Sequence, residues 1–253
     1  MDLGLAGKRA IVTGGSKGIG RTIAETLAAE GCHVAICARG ADGVASAVEA
    51  IKGRGVKAFG QALDVTDRDA LIGWVEASAK ELGGIDIAIA NVSALDMNRT
   101  EEAFRHEFEV DLLHTVRLVD AALPHIERSD AGAIVVISSV SGLEHDFTSP
   151  AYGTFKAALI HYASRMASEL AGKHIRFNTV SPGNTYFEGG IWQHIERNMP
   201  DLFKEALAKN PWGRMATPQE VANAAVFLAS PASSFTTGVN IVVDGALTRR
   251  VQY

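Results

Sequence analysis

A short β-branched run, Lys8 to Thr13 (KRAIVT), leads straight into Gly14-Gly15-Ser16-Lys17-Gly18-Ile19-Gly20, and a helical pattern then runs from Arg21 to Glu30 and stops at Gly31. Strand, glycine-rich turn and helix in immediate succession constrain the fold more than any other stretch. Glycines in such a turn let backbone N–H groups and a helix amino end approach an anion such as a pyrophosphate, because side chains would block the way and the helix dipole favours negative charge. The same glycines also serve tight packing of a strand against a helix, so the turn alone leaves both readings open.

The alternation continues downstream. His33 to Ala38 reads as a buried strand, Asp42 to Lys52 as a helix, and Val56 to Leu63 as a strand ending at Asp64-Val65. Thr66 has the chemistry of an N-cap for a helix running to Leu82, which Gly83-Gly84 stops. Ile85 to Asn91 is a further strand, and Thr100 to about Glu127 is helical with a break expected near His106. Ala133 to Ile137 and Ile175 to Ser181 are strands, and the latter ends in Pro182-Gly183. Thr217-Pro218-Gln219-Glu220 opens a helix to about Leu228, and Val239 to Val243 is the last strand. Strands and helices separated by short loops predict a parallel sheet with helices on both faces. Residues 184–216 break the pattern and carry Tyr186, Phe187, Trp192, Phe203 and Trp212, so a lid or pocket wall is expected there, with core packing an equal alternative for Trp192 and Trp212.

No linker divides the 253 residues, so one domain spanning 1–253 is expected. A net charge of −5 with no basic block argues against nucleic acid as the main partner. No stretch approaches the roughly 18 apolar residues of a membrane helix, and no export signal is evident. Cys32 and Cys37 lie in or beside one apolar run, where free buried thiols in a reducing, cytoplasmic setting are the better reading. No metal site is expected.

Chemistry concentrates between Ser139 and Lys156. Tyr152 and Lys156 stand four apart on a helix starting near Pro150, so they share a face with Cβ atoms about 5–6 Å apart. A phenol is a poor base at neutral pH, and a nearby ammonium favours its phenolate, so the pair suits proton transfer to or from a carbinol oxygen. Ser139 follows a strand at its carboxyl edge, where open α/β sheets bind ligands, and can hydrogen-bond the same oxygen. At the end of the second strand an acid would bind the 2′-hydroxyl of NAD and an arginine the 2′-phosphate of NADP. Ala38 offers no carboxylate, while Arg39, aided by Lys17, favours NADP(H) over NAD(H); two solvated surface cations are the plainer alternative.

Thr13-Gly14-x-x-x-Gly18-x-Gly20, Asp64-Val65, Ser139, Tyr152-x-x-x-Lys156 and Pro182-Gly183, in this order and spacing, resemble the short-chain dehydrogenase/reductase family in its single-domain form, from about Leu5 to Gly245. The resemblance implies an α/β, Rossmann-type doubly wound parallel sheet of order 3-2-1-4-5-6-7, and hydride transfer between a nicotinamide cofactor and a ketone or secondary alcohol. It implies that Tyr152 is the general acid/base, that Ser139 orients the substrate oxygen, and that Lys156 holds the nicotinamide ribose while lowering the tyrosine pKa. It assigns cofactor contacts to Gly14, Ser16, Lys17, Gly18, Ile19, Gly20, Asn91, Pro182 and Gly183, with Asp64 and Val65 at the adenine. It further implies pairing of the long helices across subunits, and a homotetramer.

Three positions depart from the family pattern. Asp111 stands where an asparagine usually helps hold a relay water; a carboxylate can also accept that hydrogen bond, and its charge would raise the tyrosine pKa. Ala90-Asn91-Val92-Ser93 keeps one asparagine of the usual turn and loses its glycine. Phe187 replaces a threonine that contacts the nicotinamide amide, with Thr185 a substitute. The aromatic residues of 184–216 favour an apolar or ring-bearing ketone. A 3-oxoacyl thioester is a further possibility, which would want a basic patch that Lys173 and Arg176 leave open. His145 and Asp146 are expected toward the mouth, as ordinary loop residues or as contacts to a polar substituent. A nucleotide-binding regulatory or assembly protein with weak or no catalysis is the alternative, to which only Asp111 leans; an epimerase or dehydratase is disfavoured by the lack of a C-terminal substrate domain.

Overall fold

The computed structural model describes residues 1–249 and 251; residues 250, 252 and 253 of the expected domain lie outside the described residues. Seven strands form one sheet: β1 (Arg9–Thr13), β2 (His33–Ala38), β3 (Ala58–Ala62), β4 (Ile87–Ala90), β5 (Ala133–Ile137), β6 (Arg176–Pro182) and β7 (Asn240–Val243). Their order is β3-β2-β1-β4-β5-β6-β7, with every neighbour parallel. This is the expected doubly wound sheet. β1 pairs with both β2 and β4, so the strand order reverses beside it and opens the crevice in which such sheets bind ligands.

Runs such as Ala133-Ile134-Val135-Val136-Ile137 are buried along their whole length because helices cover both faces. On one face α1 (Gly18–Ala29), α2 (Ala41–Lys52) and α9 (Pro218–Ala229) pack Ile23, Leu27, Ala47, Val221 and Ala225 against Val12, Val34 and Val135. On the other, α3 (Arg68–Leu82), α5 (His114–Ile126) and α6 (Pro150–Leu170) pack Trp74, Leu118, Val119 and Leu159 against Ile11, Ile134 and Phe177. Each fully buried Leu, Ile or Phe in these layers contributes about 1.5–3 kcal/mol. Cys32 and Cys37 are free and buried, one beside each layer.

Three local expectations need correction. α3 is capped by Asp67, whose carboxylate accepts from the N–H groups of Asp69 and Ala70; Thr66 instead donates its hydroxyl to Asp64 at 2.8 Å, so Asp64 removes Thr66 from the capping role. β3, at the sheet edge, is shorter at both ends than Val56–Leu63. The break in the long helical stretch does fall near His106, after α4 (Glu101–Glu107), as a π-helical turn over Phe108–Leu113. Residues 184–216 are not a plain loop: they hold α7 (Ile191–Asn198) and α8 (Pro200–Lys209), which bury Trp192, Ile195 and Ala206 in a small cluster of their own. Trp192 therefore packs, whereas Trp212 is exposed and lies against Arg214. α9 has the expected cap, with Thr217 and Glu220 closing a reciprocal capping box.

Candidate active site

The carboxyl edge of the sheet gathers the sequence-selected residues. Gly14 to Gly20 follow β1, Arg39 follows β2, Asp64 and Val65 follow β3, Asn91 follows β4, Ser139 follows β5, and Pro182, Gly183 and Thr185 close β6. Gly14 and Gly18 have φ of +68° and +55°, a region costly for residues with a Cβ. A Cβ on Gly20 would lie 2.3 Å from both the Asn91 amide nitrogen and the Gly14 carbonyl oxygen. Asn91 is the clasp here: its amide donates to the carbonyls of Thr13 and Gly14 at 3.1 and 3.3 Å, and so fixes the turn to the end of β4. α1 starts at Gly18 with Lys17 as its N-cap residue and no side-chain cap, which leaves its first N–H groups to other acceptors. Phe187 presses on this turn, its ring only 2.6 Å from where a Cβ on Gly18 would be.

Ser16 and Ile19 are partly buried in the turn, while Lys17 and Arg39 are exposed on its flank. Asp64, exposed, accepts from both the N–H and the hydroxyl of Thr66, and these bonds hold its carboxyl below the usual range. Thr185 is buried and donates to the Gly183 carbonyl at 3.1 Å, at a bridge to Ala216.

Ser139, Tyr152, Lys156 and Asp111 come together in space. Ser139 caps the short 3-10 turn Val140–Gly142, accepting from the Ser141 N–H and donating to the Ser141 hydroxyl, both at 3.1 Å; Ser141 in turn donates to Asp146. Asp146, exposed in the loop, thus supports Ser139 through Ser141. Pro150 and the Ser149 cap start α6, so Tyr152 falls in its first turn and Lys156 one turn on. Ser139 lies near the Tyr152 phenol, and the Lys156 ammonium lies 5.5 Å from the Tyr152 ring centroid. Lys156 Nζ also donates to the Ile137 carbonyl at 3.3 Å and sits 2.7 Å from Asp111 Oδ1.

Electrostatics here differ from expectation in one respect. Lys156 and the nearby Ser139 hydroxyl do favour the Tyr152 phenolate, but burial, the largest influence, outweighs them, and the Asp111 and Glu107 carboxylates add to it; the phenol is raised, not lowered. Burial likewise opposes charge on Lys156, yet Asp111 and Tyr152 outweigh it and keep the ammonium charged above its usual range. Asp111 is held low against its own burial, chiefly by Lys156.

Two residues of this neighbourhood escaped the sequence reading. Glu107 is buried and tied to Asp111, and the signal for it was its position four residues before Asp111 on a helical stretch. His114, also buried, donates from Nδ1 to the Val110 carbonyl at 2.7 Å and accepts the Thr13 hydroxyl at Nε2 at 3.1 Å, which links the π turn to the end of β1. Burial lowers His114 to about 4, so it stays neutral. Arg176 and Lys173 do not form a basic patch: Arg176 is buried against carbonyls at the end of α9, and Lys173 pairs with Glu127. Among the described residues, no group of three or more His, Cys, Asp or Glu could hold a metal ion, and no helix is long and apolar enough to cross a membrane.

Residues 14–248 match the family model described as enoyl-(acyl carrier protein) reductase. Isoepoxydon dehydrogenase patN of Penicillium expansum is 38% identical over 259 residues, covering 100% of this chain and 99% of the relative. L-Sorbose reductase from Gluconobacter frateurii, solved in complex with NADPH and L-sorbose, superposes with a TM-score of 0.91 at 30% identity, over 99% of this chain and 100% of the other. A 7α-hydroxysteroid dehydrogenase solved with NADH and 7-oxo glycochenodeoxycholic acid superposes with a TM-score of 0.90 at 30% identity, over 97% of this chain and 96% of the other. Sheet order, ordered motifs and full-length similarity agree: the chain belongs to the short-chain dehydrogenase/reductase family of oxidoreductases.

Proposed function

We propose that this protein reduces a ketone, or oxidises the corresponding secondary alcohol, using NADP(H) in preference to NAD(H). The observation that carries the reading is the convergence of Ser139, Tyr152 and Lys156 at the start of α6, with the phenol near Ser139 and the ammonium beside its ring.

The residues present fit a dinucleotide. The uncapped amino end of α1 and the glycine turn would take the pyrophosphate, with Ser16 and Ile19 beside it. Arg39 and Lys17, both exposed, would meet a 2′-phosphate, and β2 ends at Ala38 with no carboxylate for a ribose 2′-hydroxyl. Asp64 and Val65 would border the adenine, Asn91 the ribose side, and Pro182, Gly183 and Thr185 the nicotinamide, with Lys156 at its ribose. When bound, the nicotinamide would supply or accept the hydride.

Proton movement belongs to the chain's own side chains. Tyr152 gives its phenolic proton to the substrate oxygen in reduction and takes it in oxidation, while Ser139 holds that oxygen by a hydrogen bond. Lys156, kept charged by Asp111, favours the phenolate, which counters the burial that opposes it. Asp111 serves as the anchor of Lys156 in place of a neutral amide.

The substrate reading is an apolar or ring-bearing ketone. The ring of Trp192 in α7 packs on that of Phe147 with centroids 5.1 Å apart and planes tilted by 59°, Phe147 falling between Ser139 and Tyr152 in the sequence, and Phe203 of α8 packs on the same Trp192. This supports residues 184–216 as a lid whose aromatic side faces the reacting groups. The burial of Arg176 and the pairing of Lys173 weaken the case for a carrier-bound thioester. A homotetramer is the proposed assembly: Phe108, Leu112, Leu113, Val116 and Tyr162 line an apolar depression on the outer side of the π turn, α5 and α6. Two free buried thiols support a reducing cytoplasmic setting.

Initial rates of NADPH and NADH oxidation over a panel of alicyclic, aryl and short open-chain ketones plus an acetoacetyl thioester test the reading. It expects turnover of ring-bearing ketones with NADPH favoured. Nucleotide binding without turnover of any of them would favour a regulatory role instead.

A further inference from the structure

Glu107 and Asp111 form a buried acid pair beside Lys156. Both side chains are fully buried, at 0% exposure, and both support the loop after β4. Asp111 Oδ2 accepts the Ala94 N–H at 2.8 Å, and Glu107 Oε1 accepts the Asp96 N–H at 2.6 Å. Between those two donors Leu95 has φ of +48°, a left-handed conformation that costs a branched residue of order 1 kcal/mol or more. The two carboxyl groups therefore pin a strained segment from the side of the π turn. The second oxygens remain to be accounted for. Asp111 Oδ1 faces Lys156, whereas Glu107 Oε2 is buried beside Asp111 with no hydrogen-bond partner among the described residues.

The charged neighbours of Glu107 are Asp111 on its own helical stretch, Lys156 on α6, and Asp96 with its partner His106 in the loop; the Tyr152 phenol on α6 and His114 on α5 are neutral. One buried ammonium faces two carboxyl groups. Two adjacent carboxylates with a single counter-charge cannot both ionise cheaply in a dry site. A proton on Glu107 makes the hydrogen bond to Asp111 and leaves the cluster of Glu107, Asp111 and Lys156 neutral.

We propose that Glu107 is a positioning residue of this site: it shares one proton with Asp111, and loss of that proton puts a second buried negative charge beside Lys156 and Tyr152. Consistent with that geometry, burial and the Asp111 charge push Glu107 up to about 8, within the range in which a dehydrogenase is assayed. The pair titrates as a unit. The expected consequence for Tyr152 has a definite sign: ionised Glu107 makes the phenol harder to deprotonate.

The inference rests on Tyr152 as acid/base only in its kinetic arm. Infrared difference spectra of the protein without substrate or nucleotide, recorded across pH 6–10, read the carboxyl directly. A protonated-carboxyl band that disappears near pH 8 in the wild type and is missing in Glu107→Gln is the expected result; no such band in the wild type, or the same band in the variant, overturns the proposal. In the kinetic arm, Glu107→Gln keeps a donor toward Asp111 but carries no charge at high pH, so its alcohol-oxidation profile is expected to rise about one pH unit earlier than that of the wild type. Profiles that superimpose contradict the link to Tyr152. Glu107→Ala, which also loses the bond to Asp96, is expected to be impaired more than Glu107→Gln, and equal impairment would reduce Glu107 to packing. Failure of every substrate to turn over would count against the proposed function and leave the infrared titration to decide the proton.

Discussion

Asp111 Oδ1 lies 2.7 Å from Lys156 Nζ, and with exposures of 0% and 2% this ion pair is closed off from water. A lysine held this way is fixed in charge and position before any ligand arrives. The pair ties the π turn to α6, and Asp111 carries the further bond to the Ala94 N–H. Breaking one side of such a pair strands a buried charge, at a cost of about 3–5 kcal/mol.

Asp111→Leu is therefore expected to lower the free energy of unfolding by that amount, measured by urea titration monitored by circular dichroism. Asp111→Asn keeps an acceptor for Ala94 and removes the charge that raises Tyr152, so its alcohol-oxidation profile is expected to rise at lower pH than the wild type. A profile displaced to higher pH would contradict the assigned electrostatics.

Glu107 also leaves a mark on stability. Its folded-state pKa, about 8, lies above the unfolded value of 4.5, so the stabilisation it gives is full below the unfolded value and is lost as pH rises to and through about 8. Thermal unfolding from pH 5 to 8.5 is expected to show the wild type losing stability relative to Glu107→Gln with rising pH. A difference that does not vary with pH would remove the titration.

Arg39 sits exposed after β2, where a 2′-phosphate would lie. A charge-assisted hydrogen bond contributes about 1.5–3 kcal/mol, so Arg39→Asp is expected to weaken NADPH binding about 10- to 100-fold and to affect NADH much less, by fluorescence titration. Equal effects on the two nucleotides would contradict the NADP(H) preference.

Arg176 is buried and, among the described residues, has no carboxylate partner. Its guanidinium donates to the carbonyls of Leu228, Ala229 and Ser230 and to Ser233, closing the carboxyl end of α9, and burial lowers it to about 10. Arg176→Met removes the donor to the Ala229 carbonyl, while Ser233 still donates to those of Leu228 and Ser230, and is expected to cost about 1–3 kcal/mol in urea unfolding, without a change in nucleotide preference.

What was legible in the sequence was what is local or compositionally marked. The turn from Gly14 to Gly20 could be seen because glycine is required there, and Tyr152 and Lys156 because helical spacing alone puts them on one face. The sheet order followed from the resemblance to the family. Asp111 stood out by its position, but its partner lies far along the chain, and no local pattern states the distance between them. Glu107 looks like any helix-surface glutamate, and only tertiary packing buries it. The expected lowering of Tyr152 failed for the same reason: the effect of Lys156 could be read from spacing, but the depth of burial that overrides it could not. α7 and α8 were missed because each is short and they are separated by Met199 alone, although Pro200 at the first turn of α8 was a usable signal. Thr66 and Asp67 are both cap residue types, and the choice fell to Asp67 because Asp64 engages the Thr66 hydroxyl.

The central claim is that Tyr152 moves the proton. The most direct test is the initial rate of NADPH-dependent reduction of a ring-bearing ketone by the wild type and by Tyr152→Phe, with NADPH binding to both proteins measured by fluorescence. A fall of about 100- to 10,000-fold in rate is expected while the variant still binds nucleotide. A variant that retains most of the wild-type rate would contradict it.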